Sequence, residues 1–295
     1  MASIQASSTA RPAPAARLGR IADRWLLPLY VVGVTAYLIL PVAVMILFSF
    51  NDPTGRSNLN WREFSIAAWL NPLGRPGLSD AVRNSLLVAV VSTVVATAFG
   101  TMIGLALARY TFRGRAMTNL LVFLPMSTPE IVLGASLLTT FVASTQLPIP
   151  QGVVFPLSIR TILIAHIMFN ISYVVVTVKA RLANFPRHLE EAAMDLGANE
   201  WTTFWKVTFP LILPGVIAAA LLAFSLSIDD FVITAFTSGQ TQTFPLYIYG
   251  SQLRGIPVQV NVIGTMIFVT AVGLVLLSTL WQRRVAARDY AASTA

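Results

Sequence analysis

The chain contains no cysteine, only two histidines and, among its 20 basic residues, only two lysines, Lys179 and Lys206. Without cysteine there is no disulfide, no thiolate metal site and no cysteine nucleophile. Two histidines argue equally against a histidine-rich metal centre, so no metal ligand set is expected. Neither lysine follows a glycine. The Gly-Lys pair with which a Walker A loop cradles phosphate is therefore missing, and this chain does not bind ATP in that way. Charge of either sign is scarce: charged residues make up 11% of the 295 and hydrophobic residues 56%. Soluble proteins carry about a quarter charged residues, so the composition is that of a membrane protein.

What the sequence has instead is long uncharged runs. A membrane-spanning helix needs about 20 mostly apolar residues, because each adds about 1.5 Å across about 30 Å of hydrocarbon. Trp25 to Phe48, Asn84 to Ala108, Asn119 to Ala143, Ile159 to Thr177, Leu211 to Phe236 and Val260 to Trp281 each meet that length. The expected fold is all-α and polytopic, with six transmembrane helices. Basic residues flanking the spans stay in the cytoplasm. Fourteen of them fall on one set of segments, including both ends of the chain, and six on the other. Both termini are thus expected inside, and the net charge of +8 is a topology signal rather than a sign of nucleic-acid binding.

Residues 1–24, rich in Ala, Ser, Pro and Arg, are expected to be an unstructured cytoplasmic tail. The first apolar run is too long for a cleaved signal peptide, whose apolar region spans roughly 7 to 15 residues. In the outer segment after it, Trp61, Phe64 and Trp69 suit either an interfacial amphipathic helix or an aromatic belt. A proline-rich loop with Pro148, Pro150 and Pro156 follows the third span.

Several residues are out of place in lipid. Ala96, Gly100, Gly104 and Ala108 recur every four residues, a small-residue face that lets another helix approach closely, within the bundle or on a partner subunit. His166, Asn170, Tyr173 and Thr177 form a polar stripe on the fourth span, either interhelical hydrogen-bond glue or pathway lining. Glu130 lies inside the third span directly after Pro129, where the backbone ladder should break. Asp229 and Asp230 lie in the outer half of the fifth. Each acid costs about 2.5 to 3.5 kcal/mol at the centre of a membrane on insertion scales. They point to a pathway that admits cations, or else accept hydrogen bonds from neighbouring helices.

The loop between the fourth and fifth spans is cytoplasmic and unlike the others. Leu189, Ala192, Ala193 and Leu196 make an apolar stripe at helical spacing, which Gly197 interrupts before Trp201, Phe204 and Trp205. A short amphipathic helix in such a place is shaped for a soluble partner's groove.

Glu191, Ala192, Ala193, then Gly197, then Val207, Thr208, Phe209 and Pro210 resemble the EAA loop of type I ABC-importer permeases, with Val207 and Phe209 standing where the family has other apolar residues. Ser49-Phe50-Asn51, Asn84-Ser85-Leu86, the run from Pro129 to Gly134, the run from Ser227 to Thr234 and Pro245 to Tyr249 with Arg254 resemble the second permease of the spermidine/putrescine branch. Between Arg254 and Asn261 the spacing is offset from that branch by one residue.

The resemblance implies the type I permease (MetI-like) fold at residues 25–282, with a coupling loop at 184–210 and a cytoplasmic tail at 283–295. It implies a subunit without ATP chemistry of its own, ATP and Mg being bound by two separate ATPase subunits. A homologous permease, an extracytoplasmic substrate-binding protein and a bacterial inner membrane complete the picture. Glu191, Ala192, Ala193, Gly197 and Pro210 would couple to the ATPase. Glu130, Asp229, Asp230, Phe231, His166 and Asn170 would serve the path of a polyamine, whose ammonium groups suit carboxylates and aromatic faces. The alternatives are an ABC importer for another small solute, an ion-coupled secondary transporter in which an acid carries a proton, and a membrane scaffold.

Overall fold

A computed structural model describes residues 14–146, 154–183 and 185–293. Residues 1–13 of the expected tail, Pro148 and Pro150 of the proline-rich loop, position 184 at the start of the coupling loop and the last two residues lie outside the described residues. Among the described residues the regular structure is helical: α1 (Pro14–Phe48), α2 (Ala67–Leu70), α3 (Leu78–Arg109), α4 (Arg115–Ser127), α5 (Glu130–Gln146), α6 (Ile159–Ala183), α7 (His188–Asp195), α8 (Glu200–Thr203), α9 (Phe209–Ile228), α10 (Val232–Thr237), α11 (Phe244–Gln252) and α12 (Val258–Ser293). A five-residue π-helical turn, Phe204–Thr208, joins α8 to α9.

Five of these stretches are long and apolar enough to cross a membrane singly, and the pair α4 and α5 makes a sixth. The span count expected from the uncharged runs therefore holds, but two spans differ from their expected form. The third is not one helix over Asn119 to Ala143: α4 and α5 meet at a 109° bend. Thr128, held extended (φ −86°, ψ 132°) by the proline after it, ends α4 there. The fifth does not run unbroken from Leu211 to Phe236, because α9 stops at Ile228 and α10 starts again at Val232. At its other end this span reaches back to Glu200, so the final part of the segment expected as a coupling loop is its helical extension. Near the ends of the chain, α1 begins at Pro14 and α12 runs to Ser293, so helix extends into the stretches expected as tails.

Residues separate into two compact units. One joins the described residues up to position 72 to those from position 255 onward. Within it the chain after α1 is organised by Asn51, whose Nδ2 donates to Asn58 Oδ1 (2.7 Å) and to the Asn60 carbonyl (2.8 Å), while its Oδ1 accepts from the Arg62 N–H. The ring of Phe50 stacks on Phe64 and Trp69 at centroid distances of 5.5 and 5.1 Å. These aromatics form a cluster rather than one amphipathic helix, helix being confined to Ala67–Leu70.

The second unit, residues 73–254, holds α3, α6 and α9 in mutual contact. Hydrophobic burial cannot drive helices together in lipid, so close backbone approach does. A Cβ at Gly100 would stand 2.6 Å from Val174 Cγ1, and one at Gly104 would stand 3.3 Å from Val178 Cγ1. The small-residue face of α3 thus packs on α6 within the chain. Gly134 of α5 takes Phe236 of α10 in the same way, at 2.6 Å, and Gly215 of α9 takes the Arg181 stem of α6 at 2.7 Å. Gly100→Leu is expected to destabilise by about 1 to 3 kcal/mol, the ordinary cost of overpacking. Gly33→Ala, in α1 with nothing within 4 Å of the added atom, is expected to leave stability unchanged or raise it slightly. Melting temperatures in detergent compare the two, and equal values would remove the packing role of Gly100.

Candidate functional site

The break in the fifth span is built from short polar side chains. Asp and Ser compete for backbone hydrogen bonds and so favour helix ends over helix interiors. Asp230 does this for α10: its Oδ2 accepts from the Thr234 N–H (2.8 Å) and the Thr234 hydroxyl (2.7 Å), and its Oδ1 lies 3.4 Å from the Ile233 N–H. Donors of the first turn that would otherwise be orphaned in lipid are satisfied.

His166 reaches this break from α6. Its Nδ1 is hydrogen-bonded to Ser227 Oγ at 2.7 Å, the last turn of α9, and its Nε2 to Thr234 Oγ1 at 2.9 Å in α10. The same Nε2 lies 3.3 Å from Asp230 Oδ2. One imidazole therefore spans the gap between the two helical halves. The network continues to α3, where Ser92 Oγ and Ser227 Oγ share a hydrogen bond of 3.0 Å and Asn170 Nδ2 donates to Ser92 Oγ at 3.5 Å. Asn170 Oδ1 is buried without a hydrogen-bond partner among the described residues.

The residues singled out in the sequence thus fall into two groups. Asp230, His166 and Asn170 come together, with His166 3% and Asn170 1% exposed, facing the interior of their unit. Asp229 and Glu130 are exposed. Asp229 ends α9 and Glu130 opens α5 directly after the bend of the third span. Phe231 is half-buried, its ring 4.8 Å from that of Tyr249. Sequence reasoning missed Ser92; its signal was one hydroxyl among several on an apolar helix, with Thr93 next to it, which helix interiors tolerate too often to be distinctive.

In the segment between α6 and α9, Gly197 takes a φ of +90°, where only glycine is unstrained. The Ala198 N–H reaches back to the Ala193 carbonyl and the Gly197 N–H to the Met194 carbonyl, a glycine-ended helix stop. Asn199 Oδ1 then accepts from the Thr202 N–H at 2.8 Å and starts α8. Helix α7 has no buried residue. Glu191, Ala192, Gly197 and Pro210 are exposed and Ala193 half-buried, so the apolar stripe is open on its outer side. Glu190, also missed in the sequence, points inward to an ion pair with Arg109 of α3 at 3.2 Å.

Residues 96–288 match the family of binding-protein-dependent transport system inner membrane components. The chain is 35% identical over 255 residues to the spermidine/putrescine transport system permease protein PotC of Escherichia coli K12, spanning 86% of this chain and 92% of that one. It is 33% identical over 256 residues to the putrescine transport system permease protein PotI of the same strain, spanning 85% and 88%. Among solved structures, a chain of a bacterial ABC transporter involved in the import of the acidic polysaccharide alginate superposes with a TM-score of 0.68 at 19% identity, over 91% of this chain and 99% of that one. A chain of the inward-facing MetNI methionine ABC transporter gives 0.53 at 19% identity, over 70% and 94%. Broken apolar spans, a glycine-stopped helix between two of them and these likenesses converge: the chain belongs to the inner membrane components of binding-protein-dependent transport systems, the multi-pass permease subunits of ABC importers.

Proposed function

We propose that this permease conducts polyamines, and that the broken fifth span is where it meets them. The observation that carries the reading is the pair of consecutive acids with different surroundings. Asp230 is occupied by Thr234, Ile233 and His166, whereas Asp229 is exposed at the end of α9. A cation can be received by a carboxylate whose acceptor sites are open, not by one already surrounded by donors. Phe231 beside it, with Tyr249, offers aromatic faces to an ammonium group. Glu130, exposed at the bend of the third span, is a further site for a substrate with several charges. His166 and Asn170 serve the path from behind, by holding the break in shape. The spermidine and putrescine permeases to which the chain is similar support the same substrate class.

Transport would be driven from outside the chain. The partners are a homologous permease, two ATPase subunits that bind ATP and Mg, and an extracytoplasmic binding protein that delivers substrate. The exposed stripe of α7, with Glu191, Ala192 and Ala193, the stop at Gly197 and the helix start at Pro210, would form the ATPase dock. Both termini lie in the cytoplasm in this reading, as the distribution of basic residues requires.

In the importer reconstituted with its partners, Asp229→Asn is expected to weaken spermidine uptake about tenfold, equivalent to about 1.4 kcal/mol, with the amount of folded protein unchanged. Asp230→Asn is expected instead to lower the melting temperature, because it replaces one of the two acceptor oxygens by an NH2 donor and leaves buried donors without a partner. Uptake unaffected by Asp229→Asn would sink the path assignment. Uptake that survives ATP depletion but collapses with a protonophore would favour an ion-coupled transporter instead.

A charged replacement at the dock, Ala193→Glu or Gly197→Asp, is expected to abolish co-purification of the ATPase while the chain remains in the membrane. Retention of the ATPase by both variants would move the dock elsewhere.

A further inference from the structure

Glu190 stands apart from the other acids of the cytoplasmic segment. Glu191, Asp195 and Glu200 are exposed, whereas the Glu190 side chain is 14% exposed and turned toward the end of α3 and the start of α9. A single oxygen, Oε1, makes both of its contacts: it lies 3.2 Å from Arg109 Nη2, at the cytoplasmic end of α3, and accepts from the Thr208 hydroxyl at 2.9 Å. Thr208 is 4% exposed and closes the π-helical turn through which the chain enters α9. Such turns sit where a helix can change its winding. The Arg109 guanidinium also lies 5.0 Å above the ring of Phe185, just before α7. One carboxylate oxygen thus joins α7 to the ends of two spans.

The same two spans are pinned to each other again at the break. Ser92 of α3 and Ser227 of α9 share a hydrogen bond and lie beside His166 and Asp230. Along the helices these serines stand roughly 25 Å from Arg109 and roughly 28 Å from Thr208 at the α-helical rise. Two stiff elements therefore run side by side from the Glu190 contact to the acids of the broken span. Helix α7 buries no residue of its own. A push on it by a docked protein would reach α3 and the start of α9 through the contacts of Glu190.

We propose that Glu190 is the positioning residue that transmits movement of α7 to spans two and five, distinct from the outward-facing residues that hold the ATPase. The proposal rests on the importer reading given above. It separates two properties that one loop would otherwise combine: gripping the ATPase belongs to the exposed face of α7, and conveying its motion belongs to the inward one.

The test uses the complete importer in liposomes, with spermidine as the transported probe, measuring uptake and ATP hydrolysis in parallel. Glu190→Ala is expected to retain the ATPase and to hydrolyse ATP within about twofold of wild type, while uptake per ATP falls about five- to tenfold, the scale of an ordinary coupling free energy. Thr208→Val is expected to lower the same ratio to a lesser degree. The charge exchange Arg109→Glu with Glu190→Arg is expected to restore uptake per ATP toward wild type, which a purely steric role would not allow. Uptake and hydrolysis falling together, an unchanged ratio in Glu190→Ala, loss of the ATPase from that variant, or no recovery on charge exchange would each overturn the proposal. Wild-type importer that shows no ATP-dependent uptake of spermidine would instead overturn the reading on which it rests.

Discussion

A helix in hydrocarbon cannot be interrupted unless the backbone groups freed at the interruption find partners in the protein, since no water is there to take them. This chain interrupts two of its spans, and the arrangement of the second unit follows from how those breaks are satisfied. Proline sets the first break by forcing Thr128 extended. The second has no proline at its gap and is stabilised by side chains, with Asp230 on the first turn of α10 and His166 bridging α9 to α10. Remove that network and the fifth span has donors with nowhere to go, each costing about 1 to 3 kcal/mol when buried unpaired.

A bridge of that kind demands that α6, α3 and the broken span stand close enough for side chains as short as serine to meet. Glycine supplies the closeness. With Gly100 against Val174 and Gly104 against Val178, α3 and α6 approach along the face that also carries Ser92 and Ala96. Gly215 against Arg181 does the same for α6 and α9, and Gly134 against Phe236 brings α5 onto α10. Small residues in an apolar bundle are therefore the reason that polar ones can pair, a dependence that runs from packing to the site.

The number and rough limits of the spans were legible because charge marks them so sharply: a run of about twenty uncharged, apolar residues matches the thickness of a bilayer and exceeds what a soluble core helix needs. The EAA-type spacing was legible because the stop at Gly197 is a backbone requirement, and a left-handed residue leaves few choices of amino acid. The bends were only half legible. Pro129 announced the first, but the second depends on His166, which bridges the break from another helix to Ser227 and Thr234, 61 and 68 residues away in the chain. Hydropathy sees the apolar flanks of that break and reads through it. The inward turn of Glu190 was hidden for a related reason: two adjacent glutamates on a short helix differ only in which way the helix faces its neighbours, which tertiary contact decides.

Two consecutive acids at such a break have opposite fates, and the difference bears on why a transport protein would keep both. An acid whose oxygens are filled by fixed donors has its charge offset permanently, and it contributes shape: Asp230 does this by starting α10. An exposed acid has its charge offset only by water or by an arriving cation, so its free energy changes when substrate comes and goes. Only the second kind can discriminate between a loaded and an empty path, since a ligand shifts nothing unless it interacts differently with the two states. On an unbroken helix the two side chains would lie about 100° apart and share one environment more nearly. The break at residues 229 to 231 separates them, giving Asp230 to the protein and leaving Asp229 open. The interruption is thus what allows neighbouring, chemically identical residues to differ, one holding the structure and the other left open.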